Sequence, residues 1–236
     1  MTVRSALLRL LPIAALLAAV LSLAACGDDD GGGSAPEQTR SAPAPADARY
    51  DGALWPDPAV ATADATPADV ARSFVEDFVG MPKPALGEFQ QGDSRSGEIP
   101  MLLVGEDRRP REDRVLATIA LRQLDGRRWF VIAAIAEQAR IERPRALEEI
   151  SSPLRVAGEG AGFEGNLVVS LRAAFRRDPL AQDATPAGNM QAKPFSATLA
   201  FERPQTATGA VVVRDGGGLD GVPSAFSAIP VQFAAG

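Results

Sequence analysis

Enzyme chemistry needs a nucleophile, a base or a ligand set, and this sequence of 236 residues is poor in all three. It holds one cysteine, Cys26, and no histidine. A lone thiol cannot close a disulfide within its own chain, so no covalent staple is available to the fold. The missing imidazole removes the commonest general base and the commonest zinc ligand. Carboxylates remain. Glu88, Asp93 and Glu98 lie close together beside Arg95, and acid pairs can act on glycans or orient a ligand. These acids are interleaved with Gly87, Gly92 and Gly97, so a charged surface loop is the expected reading. Asp28-Asp29-Asp30 and the Gly-rich run from Asp215 to Gly221, with its Asp220, each invite calcium. Neither has the alternating oxygen ligands of a calcium loop. No catalytic residue, metal or cofactor is expected, and the chain is read as a non-enzyme.

Cys26 has a different context. Arg4 and Arg9 precede an apolar run from Leu10 to Leu23, broken only by Pro12 and Ser22. A basic start before an apolar run of this length is the pattern of a secretory signal, and it falls short of the ~20 residues of a comfortable membrane span. The run ends in Leu23-Ala-Ala-Cys26, which resembles the lipobox of bacterial lipoproteins. That resemblance implies a signal peptide over residues 1–25, cleavage before Cys26 and a diacylglycerol thioether on its sulfur. Two acyl chains anchor stably where one is marginal. Residues 26–59 are then the acylated Cys and a flexible tether. Gly27-Asp-Asp-Asp-Gly-Gly-Gly-Ser34 can bury nothing, and Pro36, Pro43 and Pro45 stiffen the stretch after it, giving a reach of roughly 30 Å. Tyr50, Leu54 and Trp55 are expected to begin the ordered part as a lid on the first domain. The formal net charge of -6 argues against a nucleic-acid partner, which needs a surface attracted to phosphate.

Residues 60–143 read as a small α+β domain, one helix on a small antiparallel sheet. Thr66-Pro67-Ala68-Asp69 is a helix start: a Thr cap, Pro in the first turn, and an acid where free N–H groups need one. Val70, Phe74 and Phe78 make an apolar stripe at helical spacing, and Gly80 and Pro82 end it. Strands come next over Gly97–Val104 and around Val115–Leu121. Asp125-Gly126 signals a hairpin returning through Trp129, Val131, Ala133 and Ile135. The element order is similar to the helix-on-sheet cone of nuclear-transport-factor-like domains, whose members often hold a pocket. Trp129 is a candidate for stacking on a ligand, although filling the core suits its alternating strand better.

Residues 144–236, after an expected hinge at Arg143-Pro144-Arg145, read as an all-β immunoglobulin-like sandwich without the disulfide. Leu147–Ile150, Leu154–Ala157, Leu167–Phe175, Phe195–Phe201, Ala210–Arg214 and a last strand through Ile229, Val231 and Phe233 are the strands, with a polar loop from Asp178 to Asn189. Pro230 predicts an edge position for the last strand. Along Phe163-Glu-Gly-Asn-Leu-Val-Val-Ser-Leu-Arg172, Phe163, Leu167, Val169 and Leu171 alternate with Glu164, Asn166, Ser170 and Arg172, the period of a half-buried strand with Phe163 as a core anchor.

Five segments occur in a recognisable order: Ile150-Ser-Ser-Pro153, Val156-Ala-Gly158, Phe163-Glu-Gly-Asn-Leu167, Pro194-Phe-Ser-Ala-Thr-Leu-Ala-Phe201 and Ile229-Pro-Val-Gln-Phe233. Over residues 147–233 they resemble the immunoglobulin-like domain of bacterial spore-germination proteins. The resemblance implies an extracytoplasmic interaction module and carries no catalytic residue. Glu164, Asn166 and Trp129 are the candidate ligand or partner surface. The sequence thus predicts a non-enzymatic envelope protein held on the membrane by lipid at Cys26, binding an envelope protein or a cell-wall component. The alternative is a ligand-binding or sensor lipoprotein with its pocket in residues 60–143.

Overall fold

The computed structural model describes residues 48–217 and 225–235, apart from the side chains of Ala48 and Phe163. The expected signal peptide, Cys26, the Asp28–Asp30 run, the tether up to residue 47, Asp220 and the core role of Phe163 lie outside the described part.

The helix α1 (Pro67–Ser73) starts as its sequence requires. The Thr66 hydroxyl accepts from the Asp69 N–H at 3.2 Å, and the Asp69 carboxylate accepts from the Thr66 N–H at 3.1 Å. Each partner thereby satisfies a donor that the first helical turn leaves free. The helix continues as a wider π-helical turn (Phe74–Val79) and stops at Gly80, whose φ of 89° is left-handed. Val70, Ala71, Phe74, Val75 and Phe78 are buried.

The strands, in chain order, are β1 (Ala85–Leu86), β2 (Gln90–Asp93), β3 (Ser96–Val104), β4 (Pro110–Gln123), β5 (Trp129–Ile135), β6 (Ala139–Arg143), β7 (Glu149–Ile150), β8 (Leu154–Gly160), β9 (Asn166–Ala173), β10 (Pro179–Pro186), β11 (Lys193–Leu199), β12 (Thr208–Asp215) and β13 (Phe226–Phe233). One large sheet has the order β1-β3-β4-β5-β13-β12-β9-β10, with β2 on β3 and β7 on β13. A smaller sheet, β11-β8-β6, faces its C-terminal half and closes an immunoglobulin-like sandwich. The helix covers the opposite face of the large sheet. Phe74 lies 6.2 Å from the Phe226 ring on that side, while Phe233 meets Phe201 at 5.6 Å on the sandwich side. The described residues are therefore mostly β-sheet with a single short α-helix.

Several expectations are corrected here. The boundary at 143/144 does not separate two bodies, because residues 43–236 form one compact unit. Ala228 of β13 pairs with Ala134 of β5, so the large sheet runs through both expected domains. β6, assigned by sequence to the first domain, pairs with β8 in the sandwich, and Pro144 of the expected hinge is buried. Pro230 does not mark an edge. β13 sits between β5 and β12, and the proline falls where the β5 pairing has ended and β7 begins, its carbonyl accepting from the Leu147 N–H at 2.7 Å. The polar loop expected at 178–189 contains β10, whose sequence Pro-Leu-Ala-Gln-Asp-Ala-Thr-Pro is largely exposed apart from the buried Thr185 and pairs along the open edge of β9. β9 itself is buried on both faces over its second half, since Ser170 and Arg172 are buried rather than in solvent and Arg172 reaches the helix end.

The tether does not extend to residue 59. Leu54 donates to the Val131 carbonyl at 2.8 Å and Val131 donates to the Trp55 carbonyl at 2.7 Å, so residues 54–55 pair with β5. Ala53 and Leu54 are buried, and Trp55 Nε1 donates to Ser73 Oγ at 2.8 Å, tying this segment to the helix. Apolar side chains and a free strand edge together order a segment that composition alone assigns to the linker.

A polar knot fixes the same segment to the β4–β5 turn. Tyr50 donates to Asp125 Oδ2 at 2.8 Å, and Arg128 donates to Asp125, to Tyr50 and to the Pro58 carbonyl, the last at 2.7 Å. Burial works against the charge on Asp125, but the bonds from Arg128 and Tyr50 outweigh it and hold the carboxyl below the usual aspartate range. A carboxyl with a lowered folded value stabilises the fold above its unfolded pKa of about 4, and this stabilisation is lost as pH falls through the folded value. Asp125→Asn is expected to cost about 1–3 kcal/mol at neutral pH and to flatten the loss of stability at acid pH. Urea unfolding at neutral and acid pH measures both, and an unchanged midpoint at neutral pH would show that the knot contributes nothing.

Candidate functional site

The turn that carries Glu164 and Asn166 is built from backbone. Phe163–Gly165 form a short 3-10 turn in which Glu164 (φ 59°) and Gly165 (φ 74°) are both left-handed. Gly165 donates to the Gly162 carbonyl at 2.9 Å, Ala187 to Gly165 at 2.7 Å and Gly162 to Gly188 at 2.9 Å. The β8–β9 and β10–β11 connections are thus sewn together at one corner of the sandwich. The approach leaves no room for side chains: a Cβ on Gly162 would stand 2.1 Å from the Asn166 carbonyl oxygen, and one on Gly188 would stand 1.6 Å from that of Gln191. Asn166 is exposed, and its Nδ2 donates to the Glu164 carbonyl at 3.4 Å, bracing the turn. The Glu164 side chain is exposed and has no partner among the described residues.

Trp129 lies elsewhere. It is the first residue of β5, half-buried, with its ring edge-on to Phe89 at 5.3 Å. In the order β5-β13-β12-β9 it is three strands from Asn166, which at the usual spacing is at least ~14 Å. The structure does not bring the three candidate residues into one surface.

The acidic cluster is likewise divided. Asp93 accepts from the Arg95 N–H at 2.7 Å, and this bond holds its carboxyl below the usual range, so the pair closes the β2–β3 turn. Glu88 and Glu98 line an open groove of about 840 Å³ on the outer face of β1, β3 and β4, together with Glu112 and with Pro100, Leu102 and Val115. Its charged lining is all acidic. It falls within the size range of small-molecule sites but lacks the enclosing apolar walls that such sites use. The outer face of β11-β8-β6 is polar and exposed: Arg140 pairs with Glu142 at 2.8 Å and Glu159 at 2.9 Å, and Arg155 donates to Ser196 Oγ at 3.1 Å.

Among the described residues no set of three His, Cys, Asp or Glu side chains could hold a metal ion, and no helix is long and apolar enough to cross a membrane. What sequence reasoning missed is Arg172. Its position in an alternating strand assigns it to solvent, yet it is 4% exposed. The one signal in the sequence is the pair Arg176-Arg177 close behind it.

The glycine corner makes a direct prediction. Gly188→Ala is expected to destabilise the fold by about 3 kcal/mol through forced backbone movement. Glu164→Gly, which relieves a left-handed non-glycine residue at some cost in unfolded-chain entropy, is expected to change stability by less than about 1 kcal/mol. Thermal unfolding of the two variants compares them, and similar losses would mean that side chains rather than backbone hold the corner.

The comparisons with curated proteins and with solved structures found no match. A family model does match: it covers residues 138–221, from the turn before β6 to the loop after β12, starting earlier than the expected resemblance and stopping short of β13. The C-terminal part of the chain therefore carries, over residues 138–221, the immunoglobulin-like domain of bacterial spore germination.

Proposed function

We propose that this protein is a lipid-anchored, extracytoplasmic binding module, non-catalytic, whose sandwich engages another component of the cell envelope. The observation that carries this reading is the family match over residues 138–221 on a β-sandwich. Domains of this kind are generally extracytoplasmic, which agrees with the lipobox-like Leu23-Ala-Ala-Cys26 and with the placing of the chain's one thiol there. Cys26 carries the lipid, and the residues after it hold the sandwich away from the bilayer. Glu164 and Asn166, exposed at the sandwich corner, are assigned to the partner contact; Trp129 on its distant strand belongs to the helix-bearing part. The alternative, a ligand-sensing lipoprotein, has the groove along Glu88, Glu98 and Glu112 in its favour.

Cys26→Ala is expected to move the protein from the membrane fraction to the soluble fraction after an alkaline wash. Retention in the membrane would sink the anchor. Capture from the native envelope is expected to recover a partner with the parent chain and to lose most of it with Glu164→Lys; equal recovery would remove that corner from the contact. Turnover of cell-wall glycan that a single substitution such as Glu98→Gln abolishes would overturn the non-catalytic reading.

A further inference from the structure

Arg172 and Arg177 meet at the end of the helix, Arg214 stands four residues along on the same face of the sheet, and none of the three forms a salt bridge among the described residues. Arg172 of β9 and Arg214 of β12 project from the same face of the large sheet: Arg172 is paired with Ala210, Ser170 with Val212 and Val168 with Arg214, so Ser170 lies between them. Arg177 comes after β9 and folds back, its Nη2 lying 3.2 Å from where a Cβ on Gly80 would stand. Arg172 is almost completely buried. Its Nη1 donates to the Phe78 carbonyl, and its guanidinium carbon stands 5.0 Å from the centre of the Phe78 ring. The Nε atoms of both Arg172 and Arg214 are buried with no hydrogen-bond partner. Since Nη1 of Arg172 is already used, the edge formed by Nε and Nη2 is the one left over. That edge is the fork by which a guanidinium grips two oxygens of an oxyanion.

This arrangement is costly as it stands. Burying a cation without a counter-charge is unfavourable, and like charges nearby add to the cost. Burial, Arg214 and Arg177 push the Arg172 guanidinium down to about 10, with Asp178 acting in the opposite direction. Helix-end carbonyls offer only partial negative charge. A shortage of acids is not the reason: the sequence has 30 acidic side chains against 24 basic ones. Elsewhere the arginines at 111, 128 and 140 each meet a carboxylate, whereas among the described residues Arg172, Arg177 and Arg214 form no salt bridge. Apart from the longer-range field of Asp178, the described chain places no carboxylate against these three groups.

We propose that Arg172, Arg177 and Arg214 form a binding site for a phosphate-type oxyanion between the helix end and the large sheet. Three guanidinium groups match a dianion better than a single carboxylate, and their planar forks suit tetrahedral oxygens. Arg172 is the inner wall, Arg214 grips from the neighbouring strand, and exposed Arg177 closes the outer side.

The test is calorimetric titration of the full chain with inorganic phosphate at neutral pH, with sodium chloride adjusted to constant ionic strength. One site per chain is expected, along with a rise in Tm that chloride alone does not give. Arg177→Gln, at an exposed position, and Arg214→Gln, at a half-buried one, should each weaken binding about tenfold or more. Arg172→Gln touches the core, so these two variants carry the decision. Methyl phosphate and dimethyl phosphate identify the source: binding of the monoester alone assigns a terminal phosphate, and binding of both assigns a phosphodiester such as a lipid headgroup or polymer. The proposal is overturned if phosphate raises Tm no more than chloride does, or if both variants bind phosphate as the parent does.

Discussion

β13 holds the molecule together by serving two neighbours. On one side its whole length pairs with β12, from Thr208↔Gln232 to Arg214↔Phe226. On the other it meets β5 at Ala134 and then β7 at Glu149 and Ile150. Its two faces divide the same way. Phe226 faces Phe74 under the helix, and Phe233 faces Phe201 inside the sandwich. Without this strand the helix-bearing sheet and the sandwich would each expose a row of unpaired backbone groups and an apolar face, which is costly in water. The remaining edge of β5 is taken by residues 54–55, so nearly all of that strand's pairing capacity is used.

The buried charges show two different settlements. Arg128 reaches Asp125, Tyr50 and the carbonyls of Pro58 and Ala61, so its charge and its donors are answered within the fold. Its position in a turn lets Asp125 of the same turn and the distant segment from Tyr50 to Ala61 supply those groups. Arg172 lies next to the end of β9, where its neighbours are fixed by register: Ala210 across β12 and, above, the carbonyl end of the helix. A sheet face covered by a helix offers few polar partners, and among the described residues no carboxylate forms a salt bridge with Arg172.

How much of this is legible in advance depends on how local the cause is. The helix start at Thr66 and Asp69, the stop at Gly80 and the hairpin at Asp125-Gly126 are each set by a few adjacent residues, and the structure has all of them. The alternating run of β11 is equally legible, and β3 and β5 are strands as expected, although β5 buries Phe130 and Ala134 and leaves Ile135 exposed. The misreadings concern pairing across long distances. β10 has little strand character of its own and forms because β9 offers an edge. Pro230 would mark an edge in a sheet with regular neighbours, but here two partial neighbours leave a gap where the missing N–H does no harm. Of the candidate site residues, Glu164 and Asn166 sit together because they are neighbours in a tight turn. Only residue type groups Trp129 with them, and sheet order separates it. Alternation cannot find Arg172, since the period of a strand does not say which of its faces another element will cover.

The placement of β13 also bears on how the chain reaches its folded state. It is the last described strand and stands near the middle of the large sheet, so one edge of β12 and one edge of β5 wait unpaired until it is available. Contacts between distant parts of a sequence are slow to form because the intervening loop must be closed first. A chain made from its N-terminus cannot complete either of its two cores early, and the helix with its Phe74–Phe78 stack stays a partial structure until the final strand inserts. The large sheet is therefore closed by a pairing between parts of the chain far apart in sequence rather than by neighbours added one after another.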